Sequence, residues 1–140
     1  MKRLILFLAT PLLILLLTSA CCDCRKQAKN QKPLVGTSWK LVQLMAHDVS
    51  SEGDSYTLIF HDNGTASGVG DCNRMTATYN MTTSRDLRIS NIGATRRMCP
   101  DNEREAEYFD MLERVTHYEM DGDMMLLLSN GVLVAIMQAE

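Results

Sequence analysis

The stretch SYTLIFHDNGTASGVGDCNRMTATYN, Ser55 to Asn80, reads as one strand, a tight turn and two further strands. Ser55–Phe60 is rich in aromatic and β-branched residues, the types that fit a half-buried pleated surface. Asn63-Gly64 can supply the positive φ angles of a hairpin turn. Thr65–Gly70 then returns, with Gly68 and Gly70 where a bulge or a close backbone approach is expected. Met75, Ala77 and Tyr79 alternate along the third run. Successive runs joined by short turns specify antiparallel pairing.

The same pattern extends in both directions. SWKLVQL (Ser38–Leu44), with the only tryptophan, precedes the stretch, and DLRISNI (Asp86–Ile92) follows it. Near the C-terminus HYEM, MMLLLS and VLVAIM are separated by Asp121-Gly122-Asp123 and by Asn130-Gly131, a meander of two hairpins. One helix interrupts the strands: in PDNEREAEYFDMLERV, Tyr108, Met111, Leu112 and Val115 form a single apolar stripe. Asn102 is the expected N-cap, with Glu105 completing a capping-box-like pair. Glu103, Glu105 and Glu107 suit the positive end of the helix dipole. The expected fold is α+β, mainly antiparallel β: a partly open, cracked β-barrel with one helix packed against it or plugging it. The ten methionines read as core filler rather than a soft-metal array.

The first residues read as an export signal. Lys2 and Arg3 precede an apolar run, Leu4 to Leu17, then Thr18, Ser19 and Ala20 stand directly before Cys21. That order is a secretory signal pattern, and a cysteine after small residues resembles a bacterial lipoprotein signal. Residues 1–20 are therefore expected to be removed and Cys21 to carry the lipid. An uncleaved anchor is the alternative, because Leu4–Cys22 lacks charge over nearly the ~20 residues a membrane span needs. Residues 21–33 read as a flexible tether carrying a basic excess, which favours an anionic bilayer. This leaves residues 34–140 as one domain. Six of the 14 Lys and Arg and one of the 17 Asp and Glu precede Leu34, so the domain's formal charge is −8. Such a balance disfavours nucleic acid as a partner.

Two cysteines remain in the domain, Cys72 and Cys99, with Cys22 and Cys24 in the tether. Export favours a disulfide between Cys72 and Cys99, which would pin the helix to the sheet. Two buried free thiols are an alternative. A reactive thiolate is another, since Cys99 stands beside Arg96 and Arg97 at a helix start. His47, His61 and His117 form no recognisable Cys-His motif, and the paired spacing of a zinc site is missing. Asn73 reads as a turn residue whose side chain holds nearby backbone groups.

These residues together resemble the META domain family, which includes heat-shock-induced bacterial envelope proteins. The resemblance rests on LVGTSW (Leu34–Trp39), Phe60, SGVGDCNRMTATY with Cys72, Asn73 and Tyr79, TRRMC (Thr95–Cys99), the acid-rich helix start and LLLSNG. It covers Leu34 to Ile136, with Asp71 and Ala77 standing where the family usually has glycine. The resemblance implies a small cracked β-barrel with one helix, a link to envelope stress, and no established catalytic group or cofactor. The expected function is therefore a lipid-anchored, non-enzymatic envelope module, held to the membrane through Cys21, that binds an envelope protein or an apolar ligand. A redox enzyme or sensor using Cys72 and Cys99 is the alternative. Peptidase inhibition by the polar loop Asn80–Asp86 is a third reading.

Overall fold

The computed structural model describes residues 31–50 and 53–140. Residues Lys32–Glu140 form one compact unit. The expectations for the signal, for Cys21, Cys22 and Cys24, and for most of the tether lie outside the described residues.

Nine strands and one helix make up the described domain. They are β1 (Ser38–Leu44), β2 (His47–Asp48), β3 (Thr57–Phe60), β4 (Thr65–Val69), β5 (Arg74–Met81), β6 (Leu87–Ala94), α1 (Asn102–Arg114), β7 (His117–Asp121), β8 (Met124–Ser129) and β9 (Val132–Ala139). All the strand pairs are antiparallel, in the order β6-β5-β4-β3-β1-β9-β8-β7, with the short β2 folded back on β1.

The sheet curls until its outer strands touch at a single point. Asp86 and His117 form an antiparallel bridge. Beside it, Leu87 N–H donates to Thr116 O (3.1 Å) and Tyr118 N–H to Arg85 O (3.1 Å). Beyond that point β6 and β7 diverge, so the barrel stays open, and α1 packs on β6. This is the cracked α+β barrel expected from the sequence.

Alternation supplies the core. Met75 and Ala77 of β5, Met125 and Leu127 of β8, and Leu58 and Phe60 of β3 all point inward. Trp39 lies at the centre, fully buried, and its indole Nε1–H donates to Leu34 O at 3.0 Å. The helix stripe of Tyr108, Met111, Leu112 and Val115 is fully buried as well. Each such side chain is worth about 1.5–3 kcal/mol of removal from water. Tyr108 also reaches across the interior and donates its hydroxyl to Thr57 O of β3 at 3.1 Å.

Three local features differ from the sequence reading. In the β3–β4 turn only Gly64 takes a positive φ (79°), while Asn63 acts through its side chain, whose Oδ1 accepts from Thr65 N–H (3.1 Å) and Oγ1 (2.7 Å). The β1–β2 turn is made by Met45 and Ala46, both at positive φ, and no Gly or Asn marked it in the sequence. The helix N-cap is Asp101 rather than Asn102: its Oδ1 accepts from Arg104 N–H at 3.0 Å. Asn102 turns back instead, and its Oδ1 accepts from Cys99 N–H at 2.9 Å.

Candidate functional site

At one end of the barrel the β4–β5 loop, the segment after β6 and the first turn of α1 converge. Gly70 makes the convergence possible. A Cβ built there would lie 2.5 Å from Glu105 Oε1 and 2.8 Å from Phe109 Cζ, so a side chain at this position would force Glu105 and Phe109 to shift. Gly68 has a related role within the sheet, since a Cβ there would meet Thr57 O at 2.0 Å.

Cys72 and Cys99 are joined, with S–S 2.02 Å and Cα–Cα 5.6 Å, across a sequence separation of 27. Asn73 lies beside them, 3 % exposed, and its side chain is saturated. Oδ1 accepts from Arg97 N–H (2.7 Å) and Thr95 Oγ1 (2.9 Å). Nδ2 donates to Arg97 O (3.0 Å), to Glu105 Oε2 (2.6 Å) and towards Cys99 Sγ (3.1 Å). The amide therefore grips both backbone groups of Arg97, as a paired strand would. The groups it holds are 22 to 32 positions away in sequence, not nearby as the turn reading had it.

Glu105 completes the cluster and is not a capping-box partner. It is 6 % exposed and turned inward. Its Oε1 accepts the backbone N–H groups of Cys72 (3.1 Å) and Asn73 (2.9 Å). Burial by itself would raise this carboxyl's pKa. The hydrogen bonds from the Asn73 side chain and from the Asn73, Cys72 and Asp71 backbones outweigh burial and hold it below the usual glutamate value. The buried group is thus an ionised carboxylate, and both its oxygens lie 3.5 Å from Cys99 Sγ. Negative charge faces this sulfur, whereas Arg96 and Arg97 are exposed. Among the described residues neither arginine side chain makes an ion pair, and the charged group nearest this sulfur is the Glu105 carboxylate.

Asp71, one of the two departures from glycine, accepts from Asp101 N–H through Oδ2 at 3.0 Å and so ties the loop to the helix cap. Ala77, the other, is buried opposite Ala66 on β4, a pair of small side chains in the core.

The cluster fixes two points of one loop. Arg97 is gripped by Asn73 and Cys99 is bonded to Cys72, so Met98 between them is held outward, 93 % exposed. Among the described residues no acid forms an ion pair with Arg96 or Arg97. Behind the loop a cleft of about 510 Å³ runs between the end of β6 and α1, lined by Asn73, Gly93, Thr95, Arg96, Glu105 and Phe109.

Two further polar features lie near. Tyr56 is buried at a positive φ of 57°, edge-on to Tyr108, with ring centroids 5.6 Å apart. Its hydroxyl has no hydrogen-bond partner among the described residues. Burial, followed by the charges of Asp71 and Asp101, pushes its pKa up to about 12. On the outer face of β4 and β5, His61 Nε2 lies 2.7 Å from Ser67 Oγ, in a hollow shared with Thr76, Thr78 and Asn91. The described residues place no carboxylate on that histidine, so the orienting third member of a nucleophilic triad is missing.

Sequence reasoning singled out Cys72, Asn73 and Cys99, and the structure brings all three together. It assigned Glu105 to the helix dipole and missed its inward role. The available signal was its position three residues before Tyr108, on the apolar stripe, where a solvated acid does not belong.

The META domain family pattern matches residues 32–140. Among solved structures, the NMR structure of a protein from Burkholderia xenovorans is similar, with TM-score 0.59 and 23 % identity over 76 % of this chain and 83 % of that one. A crystal structure of a DUF4847 family protein from Bacteroides vulgatus is similar at TM-score 0.55 and 16 % identity, over 76 % of this chain and 93 % of that one. At these identities the likeness concerns the fold alone. No curated protein matches the chain.

Proposed function

Because this chain belongs to the META domain family, not a family of known enzymes, we propose that it is a lipid-anchored, non-enzymatic module of the bacterial cell envelope that binds a protein or an apolar ligand under stress. The observation that carries the reading is Met98, an apolar side chain held in solvent between two fixed points. Holding it there lowers the ordering cost of docking, which is what a preformed contact surface supplies. Two exposed arginines, Arg96 and Arg97, directly precede it on a domain of formal charge −8, which favours an acidic partner with an apolar pocket.

The position of this loop fits tethering. Lys32 N–H donates to Gly122 O, beyond the end of β7. Strands β6 and β7 meet antiparallel at Asp86 and His117, so β6 runs from there away from Gly122 towards Thr95. The loop thus lies at the barrel end opposite the one where Lys32 enters. The lipid on Cys21 and the stress role rest on the sequence resemblance.

The test is co-purification of the full-length acylated protein from its own membranes. A Cys21→Ala variant should leave the membrane fraction. A combined Arg96→Glu, Arg97→Glu and Met98→Asp variant should keep the membrane and the fold but lose the co-purifying partner. Retention of the partner by that variant, or of the membrane by Cys21→Ala, would overturn the reading.

A further inference from the structure

We propose that reduction of the Cys72–Cys99 bond converts the cluster into a binding site for one soft divalent cation, zinc-like in its preferences, held by both thiolates and the Glu105 carboxylate. The inference is independent of the anchoring and docking reading. The three donor groups already lie within 4.8 Å of one another. In a tetrahedral site with metal–sulfur bonds of about 2.3 Å and metal–oxygen bonds of about 2.1 Å, sulfur and oxygen stand about 3.6 Å apart and the two sulfurs about 3.8 Å. Cys99 Sγ is 3.5 Å from each Glu105 oxygen, so that edge of the tetrahedron exists before any metal arrives. The sulfur–sulfur edge must open, from 2.02 Å by about 1.8 Å, while Cys72 Sγ starts within 4.8 Å of the carboxylate.

The supporting shell is also in place. Asn73 Nδ2 donates to Glu105 Oε2 and towards Cys99 Sγ, and the N–H groups of Cys72 and Asn73 hold Oε1. Such outer contacts orient ligands and keep the carboxylate ionised. Cys72 is only half-buried, and the neighbouring cleft reaches Glu105, so a cation can approach the carboxylate from the cleft.

The chemistry balances with a dithiol as reductant. The dithiol gives up two electrons and two protons and becomes a disulfide, while Cys72 and Cys99 become two thiols. Binding M²⁺ then releases two protons as both sulfurs coordinate as thiolates. The oxidised chain has no such donors, so cation binding would report the reducing state of the surroundings.

The test uses the full-length chain in detergent, with Cys21, Cys22 and Cys24 changed to serine so that only the pair remains. It is reduced with a phosphine, which does not chelate, and titrated with Co²⁺ in the absence of oxygen. The expected result is a thiolate-to-cobalt charge-transfer band that saturates at one metal per chain, is displaced by Zn²⁺ and is absent from the oxidised chain. Glu105→Gln should weaken Co²⁺ binding by at least about ten-fold. Because that variant is also expected to be less stable, cadmium NMR of the reduced pair reads the ligand set without it. A shift typical of two sulfurs with oxygen supports the site, and one typical of sulfur alone overturns it. A reduced chain that gives no band, whether or not it keeps its fold, also overturns it.

Discussion

Replacing Asn73 with alanine removes a hub of five contacts, and their sum can be worked from the structure. The lost groups bonded Arg97 N–H, Arg97 O, Thr95 Oγ1, Glu105 Oε2 and Cys99 Sγ. A neutral hydrogen bond contributes about 1 kcal/mol net, and one to a charged group about 1.5–3 kcal/mol. The Arg97 and Thr95 partners are near water, which can replace the amide, so most of the cost falls on the buried Glu105 carboxylate. The expected loss is about 2–4 kcal/mol, a large share of a small domain's 5–15 kcal/mol. At a urea slope of about 1–3 kcal/mol/M the midpoint should fall by about 0.7–4 M. Trp39, the only tryptophan and fully buried, reports the transition by fluorescence. Asn73→Asp gives the sharper test. It keeps both acceptor positions but sets a second carboxylate against Glu105, where the amide now lies at 2.6 Å. It should therefore destabilise more than alanine near neutral pH and recover part of the loss in mild acid. If Asn73→Ala lowers stability by less than about 0.5 kcal/mol, or if Asn73→Asp matches the wild type, the hub is not what holds the loop.

Three other outcomes follow from the same geometry. Glu105 has its folded pKa held below the ordinary value, so its stabilising contribution is complete above about pH 4.3 and is lost as pH falls through the lower folded value; Glu105→Gln should flatten that acid limb of a stability–pH curve. Gly70→Ala places a Cβ against Glu105 and Phe109 and should cost about 1–3 kcal/mol in thermal unfolding, with Gly93→Ala, whose Cβ would meet nothing closer than Thr76 Oγ1 at 4.0 Å, as the control. Tyr56→Phe removes a buried hydroxyl that has no partner among the described residues, so its melting temperature should equal or exceed the wild type, and a clear drop would reveal a partner for that oxygen.

Most of the fold was legible because alternation and turn chemistry agree. Asn130-Gly131 marks its hairpin, and both residues take positive φ. The stripe from Tyr108 to Val115 identified the buried face of the helix. What escaped depends on tertiary fit. Met45-Ala46 carries no turn signal, and β2 is only two residues long, so nothing local announces either. Asp101 and Asn102 are both good caps. The choice falls to Asp101 because Asn102 is drawn back to Cys99 N–H, a contact no propensity encodes. Glu105 was hidden by its own chemistry, since an acid in the first turn of a helix has a ready explanation in the dipole. Its burial depends on the space left at Gly70 and on two N–H groups more than thirty residues away.

Peptide mapping of the unreduced protein, taken from its own envelope and alkylated before digestion, tests the central claim most directly. The account predicts one linked peptide pair that joins Cys72 to Cys99, with neither sulfur alkylated. Both cysteines recovered as alkylated free thiols, or either one joined to Cys22 or Cys24, would contradict it.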